Sequence, residues 1–189
     1  MKLLHAFLLR AFLLLNLSCW LVGCGEPAAD IARPSLYDKE GLAFQYPGNW
    51  KIEEEQNLEG IRHLTIETSG DALVIVQVFP PGMGLALEEY ARDFAKAAGK
   101  ELPIGKVIDS KFTPMAKSDG FEGLQEDFTL QLLGEKVPHV RRYFSRDFGG
   151  RHCFLICQVA VEDLGKVEAG FKQVAASVKV AQPHEAKAP

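Results

Sequence analysis

From residue 40 onward the chain carries short runs of alternating or continuous apolar residues, at 42–46, 50–55, 61–68 and 73–79. Runs of this length and period predict strands. The period then changes: Leu87, Tyr90, Ala91, Phe94, Ala95 and Ala98 recur at helical offsets, with Glu88 and Glu89 in the first turn where the helix dipole favours acids. An amphipathic helix is expected there, ending at Gly99. Strand patterning returns at 106–114, 120–133, 138–146 and 151–160, and residues 117–120, 134–136 and 147–150 between these runs have turn chemistry. A second helical stripe of Leu164, Val167, Phe171, Val174, Ala175 and Val178 closes the pattern, with a cap expected at Glu162 or Asp163. Successive strands are joined too tightly for parallel crossovers, which need a dozen or more residues. The pattern therefore predicts an α+β domain: a mainly antiparallel sheet with two principal helices packed on it.

The two ends do not share this patterning. Lys2 and Arg10 precede an apolar run from Ala11 to Val22, broken only by Asn16 and Ser18, and Gly23 and Cys24 follow. This is the layout of a secretory signal. The run is short of the roughly 20 residues that span a bilayer, although counting from Leu3 and tolerating Arg10 reaches that length, so an uncleaved anchor is the alternative. Leu21-Val22-Gly23-Cys24 resembles the lipobox of bacterial lipoproteins. The resemblance implies cleavage before Cys24 and acylation of its thiol, so that the membrane is engaged through acyl chains. Gly25 in place of Asp leans, by the same resemblance, towards the periplasmic face of the outer membrane. Residues 1–23 are read as signal peptide, 24–39 with Pro27 and Pro34 as tether, 40–180 as the domain and 181–189 as a loose tail.

Charge narrows the partners. Residues 1–23 remove Lys2 and Arg10 from 21 basic residues and leave all 25 acidic ones, so the mature chain carries about −6. Nucleic acid is not an expected partner. Of four cysteines, Cys19 departs with the signal and Cys24 takes lipid, leaving Cys153 and Cys157 on an expected strand. Four residues of strand rise about 13 Å, whereas a disulfide needs Cα atoms within about 7 Å. These thiols are expected to be unpaired core side chains, with a redox or metal role as the lesser reading.

The string Gly41-Leu42-Ala43-Phe44-Gln45-Tyr46-Pro47-Gly48-Asn49-Trp50-Lys51-Ile52 resembles the opening strand, Pro turn and Trp of PsbP-like and DcrB-like domains. Leu87-Glu88-Glu89-Tyr90-Ala91 and the closing helix with its Ser-Val-Lys-Val end are similar to theirs as well. The resemblance covers about residues 40–180 and implies an α-β-α sandwich. It implies no activity, because that fold serves unrelated roles.

Candidate chemistry is sparse. Pro80-Pro81-Gly82-Met83-Gly84 lacks both the third glycine of a dinucleotide fingerprint and the phosphate-loop lysine. Ser35, Ser69, Ser110, Ser118, Ser145 and Ser177 lack a nucleophile elbow. His139 and His152 are too far apart along a hairpin to share a metal, and Glu53, Glu54 and Glu55 read as a solvated strand end. The densest basic cluster, Arg141, Arg142, Arg146 and Arg151, is a candidate anion or partner patch, weighed against a solvated sheet face. On a strand Arg142 and Arg146 share one face and Arg141 takes the other. No catalytic residue, metal site or cofactor is expected. The expected role is a membrane-anchored, non-enzymatic binding or scaffolding lipoprotein of the cell envelope that engages an envelope protein or an amphipathic ligand. The alternatives are an adaptor cradling a partner's apolar helix and a small-ligand or lipid-binding protein.

Overall fold

The computed structural model describes residues 27–181 apart from Asp71 and Pro103, so the signal and lipobox readings, including Cys24, lie outside the described residues. In chain order the strands are β1 (Ser35–Lys39), β2 (Leu42–Tyr46), β3 (Lys51–Leu58), β4 (Ile61–Glu67) and β5 (Leu73–Val78). Helix α1 (Leu87–Glu101) follows, then β6 (Lys106–Ser118), β7 (Phe121–Leu132), β8 (Glu135–Phe148) and β9 (Arg151–Ala160). A 3-10 turn (Val161–Asp163) leads into α2 (Leu164–Ser177) and the short β10 (Lys179–Val180). Seven strands form one antiparallel sheet in the order β3-β4-β5-β9-β8-β7-β6, and β1-β2-β10 form a second, smaller one.

Alternation along β9 separates two cores. Phe154 and Ile156 face α1 and pack with Tyr90, Ala91, Leu124 and Tyr143. Cys153, Leu155, Cys157 and Val159 face the other way, towards α2 and the small sheet, with Leu42, Phe44, Trp50, Val167, Phe171 and Val174. The large sheet thus lies between a helical layer and a mixed layer of α2 and β1-β2-β10. That is the expected α+β sandwich, with the small sheet as an addition to its second layer. Trp50 is buried beside Phe171, its ring centroid 5.9 Å away, and approaches α2 where Gly170 lacks a side chain. Removing Phe171's ring from water stabilises the layer by about 1.5–3 kcal/mol.

Several boundaries differ from the sequence reading, each for a local reason. Residues 35–39, read as tether, form β1 and pair with β2 from Ser35↔Tyr46 to Lys39↔Leu42. Alternation is weak in β1 because it is a solvent-facing edge; Ser35 and Tyr37 are half-buried, and Tyr37 stacks on Phe44 at 4.9 Å. Ahead of β1, Ala29 N–H bonds to Lys166 O at 2.8 Å, so the chain is held against α2 well before residue 40. Strand β6 continues through Pro114, which an edge strand tolerates because its missing N–H faces no neighbour. Pro138 is likewise accommodated inside β8, beyond the last pairing of that strand with β9 at His139↔Ala160. Hairpins β6–β7 and β7–β8 close on two-residue turns, Asp119-Gly120 with φ of 52° and 77°, and Leu133-Gly134 with φ of 51° and 95°. Such paired positive φ values match the right-handed strand twist. The first turns of both helices lack a side-chain cap: Ala86 supplies none, and neither does Asp163.

Candidate functional site

The basic cluster does not form one surface. Arg142 and Arg146 project to the α2 side and Arg141 to the α1 side, as alternation requires. Arg146 lies over Phe148 at 4.6 Å from the ring centroid and donates to Asp119 O, which locks the β6–β7 turn. Arg151 donates to Ala181 O and ties β9 to the residue that follows β10. Both have structural employment.

Arg142 borders a cleft between α2 and the ends of β6, β7 and β8. Its volume is about 280 Å³, and Met115, Phe121, Phe144, Phe171 and Ala175 supply most of its apolar lining. Arg142 donates to Gln125 Oε1 at 3.2 Å and to Glu168 Oε1 at 3.1 Å, while Lys172 lies 3.5 Å from the same carboxylate oxygen. The hydrogen bond from Arg142 holds the Glu168 carboxyl below its usual range. Arg142 and Lys172 share the Glu168 carboxylate along this wall of the cleft, and Asp119 also borders it, so cations and acids balance there.

Arg141 sits in a different setting. Pairings across three strands, Glu126↔Arg141 and Arg141↔Gln158, bring these residues into one row beneath α1. Arg141 Nη1 donates to Glu126 Oε2 at 2.9 Å and to Tyr143 OH at 3.1 Å, and Nε donates to Gln158 Oε1 at 2.7 Å. Tyr143 OH donates to Glu126 Oε2 and Ser110 Oγ to Glu126 Oε1, both at 2.8 Å. Both charged side chains are nearly inaccessible, 4% for Arg141 and 1% for Glu126. Burial raises the Tyr143 phenol pKa, keeping it a neutral donor. The guanidinium is also covered by the faces of Phe128 and Phe94, with centroids at 4.6 and 5.4 Å. A cavity of about 250 Å³ opens beside it under the C-terminal half of α1.

The sequence reading did not anticipate the ion pair. Its signal was present in Leu124, Glu126 and Phe128, an acid flanked at period two by large apolar residues. A second missed cluster joins the two sheets: buried Arg62 donates to Lys39 O at 2.8 Å and to Glu55 Oε1 at 2.7 Å, and also bonds Tyr37 OH. Glu55, read as part of a solvated run, accepts bonds from Arg62, Tyr37 and Lys39. Partial burial opposes ionisation of this carboxyl, but these donors outweigh it and pull the pKa down to about 2.

Ser145 Oγ lies 2.7 Å from His152 Nε2, and Asp147 Oδ2 is 3.9 Å from His152 Nδ1. The residue types suit a nucleophilic triad, but the setting does not. Ser145 is buried in the interior strand β8 rather than at a strand-to-helix elbow, and the Asp–His distance exceeds a hydrogen bond. The serine and histidine join the β8–β9 hairpin. His139 is elsewhere, bonded to Val137 O and stacked on Phe128. Cys153 and Cys157 are free and buried on the α2 side of β9, and burial raises both thiol pKa values, that of Cys153 to about 12.

No family model matches the chain, and no curated protein matches it in sequence. Solved structures do resemble it. The solution structure of cyanobacterial PsbP (CyanoP) from Synechocystis sp. PCC 6803 superposes with a TM-score of 0.51 at 14% identity, covering 85% of this chain and 96% of that one. The fold is PsbP-like. LpqN, involved in cell envelope biogenesis of Mycobacterium tuberculosis, gives a TM-score of 0.43 at 12% identity, over 79% of this chain and 90% of that one. PA94 of Pseudomonas aeruginosa, a protein of unknown function, gives 0.39 at 17%, over 80% and 99%. At these identities the likeness concerns the PsbP-like architecture, and the clefts must be read from this chain's own residues.

Proposed function

We propose that the chain is an extracytoplasmic lipoprotein whose domain has a non-enzymatic binding role in the cell envelope. Acylation of Cys24 supplies the anchor, and the domain stands on the periplasmic side, at the outer membrane. Support for the address comes from the signal-like residues 1–23 and the lipobox resemblance. Support for binding comes from one observation above the others: the cleft between α2 and β6–β8 is apolar inside and bordered by the polar side chains of Arg142, Lys172 and Asp119, which suits an amphipathic ligand or an apolar side chain beside a polar group on an envelope protein. The buried, mid-strand Ser145 favours binding over hydrolysis.

An adaptor that cradles a partner's helix needs a long open apolar sheet face. Sheet positions beyond the helices are polar instead, with His63 and Thr65 on one face and Lys111, Thr113, Gln125 and Asp127 on the other. This favours the cleft over the cradle. Photo-crosslinking in intact envelopes tests the reading, with a benzophenone side chain at Ala176 in the cleft and a control at Glu89 on α1. A discrete adduct from position 176 alone is expected; equal labelling from both positions, or none from 176, contradicts it.

A further inference from the structure

The cavity under α1 has a polar end with donors open to it. Its walls include Leu73, Ile75, Ala98, Leu102, Val107 and Leu130, and its polar end is Arg141 with Gln158. Every acceptor there is already used: both Glu126 oxygens, the Tyr143 oxygen and Gln158 Oε1 take bonds from within the cluster. The donors are not. Arg141 Nη2 and Gln158 Nε2 have no acceptor among the described residues. The orientation of the Gln158 amide is fixed by its neighbour, because Arg141 Nε can only donate and so requires the amide oxygen.

We propose that this cavity binds a short aliphatic carboxylate, with its head on Arg141 Nη2 and Gln158 Nε2 and its chain against the α1-side walls. A donor-only end calls for an acceptor-only group, and a carboxylate offers an oxygen to each donor. The apolar walls lower the local dielectric beside these bonds, and each methylene that the ligand buries against them adds about 0.8 kcal/mol. Core stability alone does not explain the cluster, since an apolar replacement of a buried ion pair is commonly neutral or stabilising. Glu126 sets the guanidinium in place by anchoring Nη1, so it is a positioning residue. This site deepens the binding reading above and lies on the opposite sheet face from the α2 cleft.

The test titrates 13C-carboxyl hexanoate into the full chain in nanodiscs, with empty nanodiscs subtracted and methyl pentanoate as the uncharged comparison. Saturable one-to-one binding of hexanoate is expected, with the ester weaker by about tenfold or more. Ala98→Phe fills the cavity from α1 and is expected to abolish binding of both molecules. Arg141→Met combined with Glu126→Leu avoids a lone buried charge and is expected to lose the preference for the carboxylate. Circular dichroism verifies that each variant is folded. Absence of saturable binding, equal affinity for the ester, or an unchanged preference in the double variant overturns the proposal. Its failure is separable from failure of the binding reading, because crosslinking at position 176 reports on the other face.

Discussion

Gly170→Ala is expected to destabilise the domain even though alanine is the better helix former. A Cβ at residue 170 would lie 2.4 Å from Trp50 Cη2, 2.5 Å from Cζ2 and 2.8 Å from Pro47 Cγ. Favourable carbon contacts begin near 3.5 Å, so one wall must retreat by about 1 Å. Trp50 is only 4% exposed and backed by Phe171, and Pro47 is a rigid ring, so neither yields cheaply. Overpacking of this kind costs about 1–3 kcal/mol, and the upper figure applies here. Helix propensity returns about 1 kcal/mol, leaving a net loss of about 2 kcal/mol. Gly165 in the same helix is the control: nothing lies within 4 Å of its added Cβ, and Gly165→Ala is expected to gain about 0.5 kcal/mol. Urea unfolding followed by circular dichroism and tryptophan fluorescence gives both values. A Gly170→Ala variant as stable as the parent would refute the placement of Trp50 on α2.

Other consequences follow from the buried polar groups. Arg141→Met alone strands the Glu126 carboxylate and is expected to cost about 3–5 kcal/mol, whereas pairing it with Glu126→Leu restores most of that loss; urea midpoints of the two variants decide. Glu55 has a folded pKa of about 2, below its unfolded value of 4.5, so its contribution is present above pH 4.5 and lost as pH falls towards 2. Glu55→Gln is therefore expected to flatten the fall in unfolding midpoint over that window, and a parallel curve counts against the Arg62–Tyr37–Glu55 cluster. Cys153 and Cys157 are expected to resist a thiol reagent in the native protein at pH 8 and to react together in denaturant, since burial raises both pKa values; rapid native labelling contradicts their placement in the core.

Much of the fold was legible because each layer imposes its own period. The stripe Val167, Phe171, Val174 and the alternation of β5 and β9 mark opposite sides of the same core, and the turn residues between β6 and β9 make the antiparallel meander plain. What escaped was non-local. Ser35–Lys39 becomes a strand because β2 and the Arg62–Glu55 cluster hold it, and no pattern within five edge residues records that. The four arginines read as one patch, although strand parity already assigned Arg141 to the other face. That a lone acid between Leu124 and Phe128 meets Arg141 depends on the register of β7 against β8, which a sequence leaves open.

The address carries more of the functional account than any cleft does, and Cys24 is where it can be tested most directly. Intact-mass analysis of the protein extracted from membranes is expected to show a chain beginning at Cys24, without residues 1–23, and with the added mass of a diacylglyceryl-type modification on its first residue. A chain that retains residues 1–23 with an unmodified Cys24 would contradict the account.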